Sequence, residues 1–475
     1  MFLINWGELT SRWDPIYLSY LRKIRFDFNF PTQPLKNVTN SFSGGTPSKD
    51  VDEYWNGNIP WASPKDIKEF YLSCTEDYIT KEGLNNSSSK IANCGSVLLV
   101  VRSGILQHTI PVSVCTVPMA INQDIKVLIP NNNLLPEFLG YYFIVFNEKV
   151  LPRIVKHSTT VQSINTFELE KLPIPLPSLD VQQKIITIMN EAYEQKCQKE
   201  QEAQLLLNNI SDYIIGVLGI KLPLEANQDL SDRIFYIHAT DMLGGRFDPR
   251  KYSRKYKQLL DAIESAPYDR LMLKEIVLND VSGDWGVDDT IEDPDLISCL
   301  TIRGTEFDNK FNLDLDNNRT KFRKYSKASF DKIALKEKDI LIEKSGGSED
   351  QPVGRVALIE KDMLDKYSLA FSNFIHRIRI DENKAVPEYV FEYLRLMHNI
   401  KITEVMQTQT NGIRNLIMQE YFSQIILLPE PKKQEEIAIH AAQMRKHAFE
   451  LQKEAEKIVL DAKAKVEKML LGDEK

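Results

Sequence analysis

Apolar residues recur every seven positions through the C-terminal segment that begins at Ile437. One position of the heptad holds Ile437, Met444, Leu451 and Ile458 before Lys465, and the other holds Ala441, Ala448, Ala455, Ala462 and Met469. This pattern predicts a long helix that packs lengthwise against a partner helix. Alanine at most positions of the second set predicts a close approach of that partner.

The same register occurs 252 residues earlier. There, the first position of the heptad holds Ile185, Ala192, Lys199, Leu206 and Tyr213. The second position holds Met189, Lys196, Ala203, Ile210 and Val217. We predict that the two helices pair antiparallel, each with about 34 residues and a length of about 50 Å. The polar middle at Lys196 and Lys199 predicts a stretch that is looser or faces another chain.

The segments before the helices also repeat. The chain reads LPSLDVQQKI at 176–185 and LPEPKKQEEI at 428–437, and four further pairs follow the same order, with a spacing that grows along the chain. These pairs are RWDPIY (12–17) with RFDPRKY (246–252), NSFSGG (40–45) with NDVSGD (279–284), VLLVVRSG (97–104) with DILIEKSG (339–346), and LPEFLGYYF (135–143) with VPEYVFEYL (386–394). This order indicates a duplicated unit with insertions in the second copy.

Between the repeats lie short β-type runs that are broken by Gly, Pro and Asn clusters, together with short helices that open at a proline. The predicted fold is α/β (α+β), with two mixed α/β domains joined by two long antiparallel coiled-coil helices in an internal pseudo-two-fold repeat. We predict domains at 1–176 and 221–430, and helices at 177–220 and 431–475. Pairing would put the two domains at opposite ends of a rod.

Composition excludes several classes of protein. With 43% hydrophobic and 27% charged residues, the chain is predicted to be globular, and its five cysteines lack any metal-ligand spacing. No signal peptide, membrane span, phosphate-binding loop or adenosylmethionine-binding fingerprint is recognisable, so we predict a cytoplasmic, non-catalytic protein without metal or cofactor. The net charge of −8 counts against DNA binding unless positive charge is local or partner subunits supply phosphate contacts.

Two variable domains, each followed by an LP…Q…I turn and a heptad helix, resemble the specificity subunit of Type I restriction-modification enzymes. The segments SGGTPSKDVDEYWNGNIPW (43–61), SGDWG (282–286) and RFDPRKY carry the same resemblance. It implies two target recognition domains, each of which reads one half of a split, asymmetric site in double-stranded DNA. It also implies that the helices set the gap and dock two methyltransferase subunits, with two nuclease-translocase subunits in the full complex. The second variable region is longer than the first, which leaves the base-reading residues open.

Candidate DNA contacts are cations and amides in the loops. The segment 317–330 contains five cations and no acid, namely Arg319, Lys321, Arg323, Lys324 and Lys327. Base-reading candidates are Lys49, Arg102, Gln107, Arg303, Lys344 and Gln351, and Arg102 and Lys344 take equivalent places before the Ser-Gly of each copy. Solvated surface and ordinary turns are the alternative interpretation of all of them. A second cluster comprises Arg246, Arg250, Lys251, Arg254, Lys255 and Lys257 on a predicted helix, with a surface helix near the scaffold as its alternative.

Candidate seam residues, which would face the partner helix or a partner chain, are Ile185, Met189, Leu206, Ile210, Ile437, Ala441, Met444, Ala448, Leu451, Ala455 and Ile458. Two other functions remain open from sequence. One is a two-headed coiled-coil scaffold for proteins, with binding that is insensitive to salt and indifferent to DNA. The other is the specificity module of a different phage-defence methylation system.

Overall fold

The structure, a computed structural model, describes residues 26–156, 161–223, 234, 236–238, 240, 246, 248–308, 312–347, 351–410 and 412–472. The chain divides into two compact units, Met1–Glu200 with Gln452–Lys475, and Gln201–Leu451. Each long helix therefore contributes one half to each unit. The first copy of the RWDPIY repeat lies outside the described residues.

The strands of the first unit form a five-stranded sheet, a four-stranded sheet and two strand pairs. They are β1 (Thr32–Pro34), β2 (Thr39–Ser43), β3 (Trp55–Ala62), β4 (Tyr71–Leu72), β5 (Asp77–Ile79), β6 (Lys90–Ala92), β7 (Val97–Val100), β8 (Val112–Cys115), β9 (Met119–Ile121), β10 (Ile125–Pro130), β11 (Val155–Lys156), β12 (Ser163–Ile164) and β13 (Pro173–Pro175). Its sheets run β2-β10-β7-β8-β4 and β5-β3-β9-β6, with the pairs β1-β13 and β11-β12.

The described residues of the second unit form two four-stranded sheets, one three-stranded sheet and one strand pair. Its strands are β14 (Asp269–Met272), β15 (Val277–Ser282), β16 (Val287–Asp288), β17 (Leu296–Ile302), β18 (Phe322–Ser326), β19 (Ile340–Glu343), β20 (Ser345–Gly347), β21 (Val356–Leu358), β22 (Leu369–Phe371), β23 (Ile375–Ile380), β24 (Gln407–Thr410), β25 (Ile413–Leu416) and β26 (Ile425–Leu428). They are ordered β15-β23-β19-β21, β16-β18-β17-β22, β20-β25-β24 and β14-β26.

The described α-helices range from single turns to two very long helices. They are α1 (Leu35–Val38), α2 (Lys81–Asn85), α3 (Pro136–Val145), α4 (Asn147–Ile154), α5 (Thr166–Glu170), α6 (Leu179–Leu218), α7 (Arg254–Glu264), α8 (Leu273–Ile276), α9 (Lys327–Ile333), α10 (Lys361–Lys366), α11 (Pro387–Asn399), α12 (Met418–Phe422) and α13 (Pro431–Leu471). None of the helices in the described part of the chain has a stretch that is both long and apolar enough to span a membrane.

The continuous apolar run of β7 is explained by burial on both faces of the strand. Val97 and Leu99 pack into a cluster with the helices, whereas Leu98 and Val100 pack into a separate cluster with the second sheet. Strand β19 repeats this arrangement, with Ile340 on the helix side. A strand that is covered on both sides has no polar face, so an alternating pattern is absent from its sequence.

The strand pairing confirms the predicted internal repeat. In the first unit β10 pairs antiparallel with both β2 and β7, and in the second β23 pairs antiparallel with both β15 and β19. The second sheets agree as well, since β3 runs parallel to β9 and β17 runs parallel to β22. The α/β fold class with two sheet-containing domains and paired long helices is therefore confirmed.

One predicted equivalence is wrong by one residue. The amides of Val101 and Lys344 donate to corresponding carbonyls, those of Asp124 and Phe374, one residue before β10 and β23 respectively. Lys344 therefore corresponds to Val101, and Arg102 corresponds to Ser345. Sequence similarity aligned the two Ser-Gly pairs, but a shift of one residue in a pleated strand moves a side chain to the opposite face.

The glutamine of the repeated LP…Q…I segment links each long helix to the start of a preceding helix, α3 in the first copy and α11 in the second. The side-chain oxygen of Gln182 accepts from the Leu135 amide at 2.9 Å, and its nitrogen donates to the Asn133 and Pro177 carbonyls at 2.9 and 3.0 Å. Gln434 likewise accepts from the Val386 amide at 2.9 Å and donates to the Pro429 carbonyl at 2.8 Å. Both side chains are buried, so the duplicated LP…Q…I segment encodes a duplicated joint.

In the first unit, the N-terminal half of α6 packs beside the C-terminal half of α13. Ile185, Met189 and Ala192 share a buried cluster with Ala462, Val466 and Leu470. Lys199 of α6 donates to the Glu454 carboxylate at 2.6 Å. The polar middle predicted to be loose or to face another chain thus includes an ion pair within this chain.

In the second unit, the remaining halves pair in the same antiparallel sense. Ile210, Ile214 and Leu218 share a cluster with Ile437 and Ala441. Ala203 is buried with Ala448 and Leu451, which permits a close approach of the two helices. The predicted antiparallel pairing is confirmed.

The predicted heptad drifts near the C-terminus. Ala455 is buried, but beyond it Val459 and Val466 are buried while Lys465 is exposed and Ile458 is only half-buried. A straight helix has 3.6 residues per turn, so a seven-residue pattern rotates away from the seam and a step of eleven residues restores it. The helices are also longer than the predicted 34 residues, with 40 residues in α6 and 41 in α13. Gly219 and Gly472 follow them with φ of +66° and +83°, as expected for left-handed C-terminal positions.

Candidate nucleic-acid interface

Three loops of the first unit leave its five-stranded sheet at one end. In the ladder, Ser43 at the end of β2 and Leu99 near the end of β7 both pair with Lys126 at the start of β10. We call the loops 44–49, 101–108 and 122–124 the first tip. The Thr46 hydroxyl donates to the Gln123 side chain at 2.7 Å, so two of these loops touch.

The second unit builds the corresponding end from β15, β19 and β23. Ser282 at the end of β15 and Ile342 near the end of β19 both pair with His376. We call the loops 283–286, 344–347 and 372–374 the second tip. In either unit, strand pairing fixes the ends of the strands from which these loops begin.

Glycine permits the same close approach at both tips. A Cβ atom on Gly44 would lie 2.0 Å from the Ile121 carbonyl oxygen, and one on Gly283 would lie 2.3 Å from the Phe371 carbonyl oxygen. The next amide along, that of Gly45 or Asp284, donates to the same carbonyl. Gly44 and Gly283, which follow Ser43 and Ser282, are therefore required by the scaffold, which explains why this glycine is repeated.

The first tip brings together three predicted contacts on its loops. Lys49, Arg102 and Gln107 are all exposed, and Gln107 ends a 3-10 turn at Gly104–Gln107. The Arg102 backbone forms an isolated bridge with Ser163, which fixes the start of its loop.

The second tip holds Lys344, whose side chain is half-buried. Its amine donates to the Ser282 hydroxyl at 2.5 Å, and burial lowers the pKa of this lysine. Gln351 is exposed and lies three residues before the well-packed Gly354. Next to the tip, His376 contacts Asp280 at 2.9 Å, and burial lowers the pKa of this histidine despite that carboxylate.

Two predicted DNA-contacting arginines make internal contacts instead. The Arg303 guanidinium binds the fully buried Glu306 carboxylate at 2.7 Å and donates to the Arg319 carbonyl at 2.5 Å. Arg323 donates to the Trp285 and Gly286 carbonyls, and its guanidinium carbon lies 4.8 Å from the centre of the Trp285 ring. Both side chains hold neighbouring loops in place.

The remaining cations of 317–330 are divided between strand β18 and its flanks. Lys324 is half-buried and donates to the Ile291 carbonyl at 2.7 Å. Arg319, Lys321 and Lys327 are exposed, and Lys327 is the first residue of α9. Three of the five predicted cations are therefore free to meet solvent or a phosphate.

Some cations of the second predicted cluster, which runs from Arg246 to Lys257, form contacts within the second unit. Arg246 binds Asp248 at 2.6 Å and the Val405 and Gln407 carbonyls, and Lys251 binds Glu420 at 3.3 Å. Arg254, Lys255 and Lys257 lie on α7, as predicted for a surface helix.

Sequence reasoning missed two exposed aromatic residues at the second tip. Trp285 and Phe374 are 37% and 45% exposed, and their ring centres lie 6.5 Å apart. From the strand register, the corresponding places in the first tip hold Thr46 and Asp124. The sequence did contain a sign of this difference. In the repeated turn, the SGDWG segment has Trp285 where the first copy has Thr46.

Within the described ranges, no three His, Cys, Asp or Glu side chains lie close enough together to hold a metal ion. Both tips present hydrogen-bonding groups and cations, and the second tip also presents two aromatic rings. All three occur in proteins that read DNA.

The chain is similar to specificity subunits of Type I restriction enzymes. A specificity subunit of the Type I restriction enzyme EcoR124I/EcoR124II from Escherichia coli is 38% identical over 151 residues, which are 32% of this chain and 37% of that protein. The MjaIX specificity subunit from Methanocaldococcus jannaschii is 29% identical over 165 residues, 34% of this chain and 37% of that one. The matches thus span little more than a third of these relatives.

A solved structure described as the basis of complex assembly and conformational transition of the type I R-M system contains a chain with the same fold. It aligns with a TM-score of 0.51 at 12% identity, covering 94% of this chain and 98% of that one. The model of the Type I restriction modification DNA specificity domain matches residues 29–207 and 306–460, in both repeats. The chain therefore belongs to the Type I restriction modification DNA specificity domain family.

Proposed function

We propose that this chain is the DNA-specificity subunit of a Type I restriction-modification system and recognises a bipartite, asymmetric site. Each unit reads one half through its tip, and the chain itself carries out no catalysis. It works in the cytoplasm, where cellular and incoming DNA are both accessible.

The observation that carries the proposal is one scaffold with two different tips. The ladder around β10 and the ladder around β23 hold their loops in the same way, down to the glycine of each Ser-Gly pair. The residues that the loops present differ in chemistry, with Thr46 and Asp124 in one tip and Trp285 and Phe374 in the other. Two tips with different hydrogen-bonding and apolar groups are suited to two different base sequences.

The exposed cations and amides are the proposed DNA contacts. At the first tip these are Lys49, Arg102 and Gln107. The half-buried Lys344 of the second tip and the exposed Gln351, which follows that tip along the chain, complete the set. Arg319, Lys321 and Lys327 are placed to neutralise phosphates, which offsets the negative net charge locally. Arg303, Arg323 and Lys324 support DNA contact by fixing the loops from which these residues project.

The paired helices are the proposed dock for two methyltransferase subunits, with two restriction-translocase subunits in the full complex. Seam residues such as Ala448 and Ala455 are buried within this chain, so a docked subunit would meet the outer faces of the helices. Exposed apolar residues on those faces, such as Leu205, Phe449 and Leu460, support that assignment.

The test is co-expression of the chain with the methyltransferase subunit of its system in a host that lacks that modification. Long-read sequencing of modified adenine should detect one new motif composed of two unlike halves and a fixed unspecified gap. Formation of a stable complex without any new motif would contradict the proposal and favour a protein scaffold.

A further inference from the structure

The aromatic pair at the second tip is partly exposed, with Trp285 at 37% and Phe374 at 45%. Strand pairing and the close approach at Gly283 hold the two loops, and the first tip has Thr46 and Asp124 at the corresponding places. Two adjacent aromatic rings in water are unfavourable by the area that they expose, so this pair is a candidate for contact with a partner.

The surroundings hold the Trp285 ring in one orientation. Arg323 lies over the ring at 4.8 Å and donates to the carbonyl of the same residue, while its side chain is only 15% exposed. The Phe374 ring centre lies 6.5 Å from that of Trp285, with the two rings inclined by 54°. An aromatic side chain with a restricted orientation loses little entropy when it binds.

The cations at and beside this tip are engaged within the chain. Arg323 donates to the Trp285 carbonyl and lies 3.9 Å from the Asp288 carboxylate, and Lys344 donates to the Ser282 hydroxyl. Asp284 of the tip accepts from the Ser329 hydroxyl. The Trp285 and Phe374 rings, in contrast, stay partly exposed to a partner.

We propose that Trp285 and Phe374 form an apolar wedge that enters the DNA of the second half-site and partly unstacks one base step. Proteins that bend DNA insert such side chains between base pairs, and the cost of unstacking depends on the sequence of the step. The wedge therefore adds selectivity for a deformable step to the hydrogen-bonding contacts of this tip. This inference rests on the proposed function.

The test uses the complex of the full chain with its methyltransferase subunit and a duplex that carries the methylated motif. Trp285→Ala and Phe374→Ala should each weaken binding about tenfold, in line with the loss of one aromatic contact to a base. The slope of affinity against salt should stay unchanged, because no phosphate contact is removed. Trp285→Phe, which retains an aromatic ring, should restore most of the affinity.

The matched control is Leu278→Ala. Leu278 is 66% exposed and lies on the same strand β15, four residues from Ser282 and away from the tip end. It should leave affinity within about twofold of the wild-type value, as expected for an exposed side chain away from the proposed DNA contact.

Unstacking is measured directly with the fluorescent base 2-aminopurine, which is placed in turn at each base step of both half-sites. Its fluorescence should rise on binding at one step of the second half only, and Trp285→Ala should abolish that rise. An unchanged signal and affinity in Trp285→Ala, or loss of methyltransferase binding in that variant, would overturn the wedge. A wild-type complex that binds no DNA would instead overturn the proposed function, and the wedge with it.

Discussion

The buried glutamines at the start of the two long helices lead to a quantitative prediction about stability. Gln182 forms three hydrogen bonds of 2.9–3.0 Å to the backbone at Leu135, Asn133 and Pro177, and its side chain is 0% exposed. Gln182→Ala removes all three bonds, including one to the carbonyl of the buried Pro177. At about 1 kcal/mol for each bond, the free energy of unfolding of the first unit should fall by about 3 kcal/mol.

This loss should be visible in two measurements. For a unit of this size it corresponds to a fall of about 6–12 °C in Tm. Amide exchange should also accelerate at the start of α3, since the Leu135 amide loses its acceptor. The effect should be local to the first unit and should leave the amides near Val386 unchanged.

The control is Gln183→Ala, one residue along the same helix, where the side chain is exposed. It should change the free energy of unfolding by less than about 0.5 kcal/mol. Gln434→Ala, with two hydrogen bonds, should cost the second unit about 2 kcal/mol. The reasoning would be refuted if Gln182→Ala and Gln183→Ala unfolded at the same temperature.

Three further predictions concern the seam, the exposed cations and pH. Ala448→Leu with Ala455→Leu should overpack the helix seam and lower the free energy of unfolding by about 1–3 kcal/mol for each substitution, as measured by thermal unfolding. The control Ala442→Leu, at an exposed position, should be neutral. Equal effects would contradict a close-packed seam. Replacing Arg319, Lys321 and Lys327 with Gln should reduce the magnitude of the slope of log DNA affinity against log salt concentration by up to about 3. Lys361→Gln is the control. An unaltered slope would mean that the three residues are solvated surface and do not contact phosphate. Burial lowers the pKa of His398 to about 4, below that of the unfolded chain, so protonation favours unfolding as the pH falls. The second unit should lose about 2 kcal/mol between pH 7 and pH 5 from this residue, and His398→Gln should reduce that loss in urea titrations at the two pH values.

The sequence predicted the repeat because the scaffold is encoded locally. Proline at helix starts, glycine at close approaches and apolar positions in two heptads each depend on the residue and its near neighbours. The same local signals misplaced Lys344, because the strand register depends on partners far along the chain. The shift of the buried positions to Val459 and Val466 was missed because it depends on the number of residues per turn in a straight helix.

The candidate site was less predictable than the fold. A cation in a loop has the same sequence signature whether it meets phosphate or a buried carboxylate, and Arg303 and Glu306 are separated by only three residues. Arg323 looked like one of five exposed cations until the fold placed it over Trp285. Exposure of Trp285 and Phe374 is equally a property of the folded unit, since other aromatic side chains, such as Phe371 and Tyr393, are fully buried in it.

The central claim is that each unit reads its own half of the DNA site. The most direct measurement is the adenine methylation motif of cells that express, with the same methyltransferase, either this chain or a chimera in which residues 235–430 come from a relative of different specificity. The account predicts that one half of the motif changes while the other half and the gap are retained. A chimera that assembles and methylates but changes both halves, or neither, would contradict it.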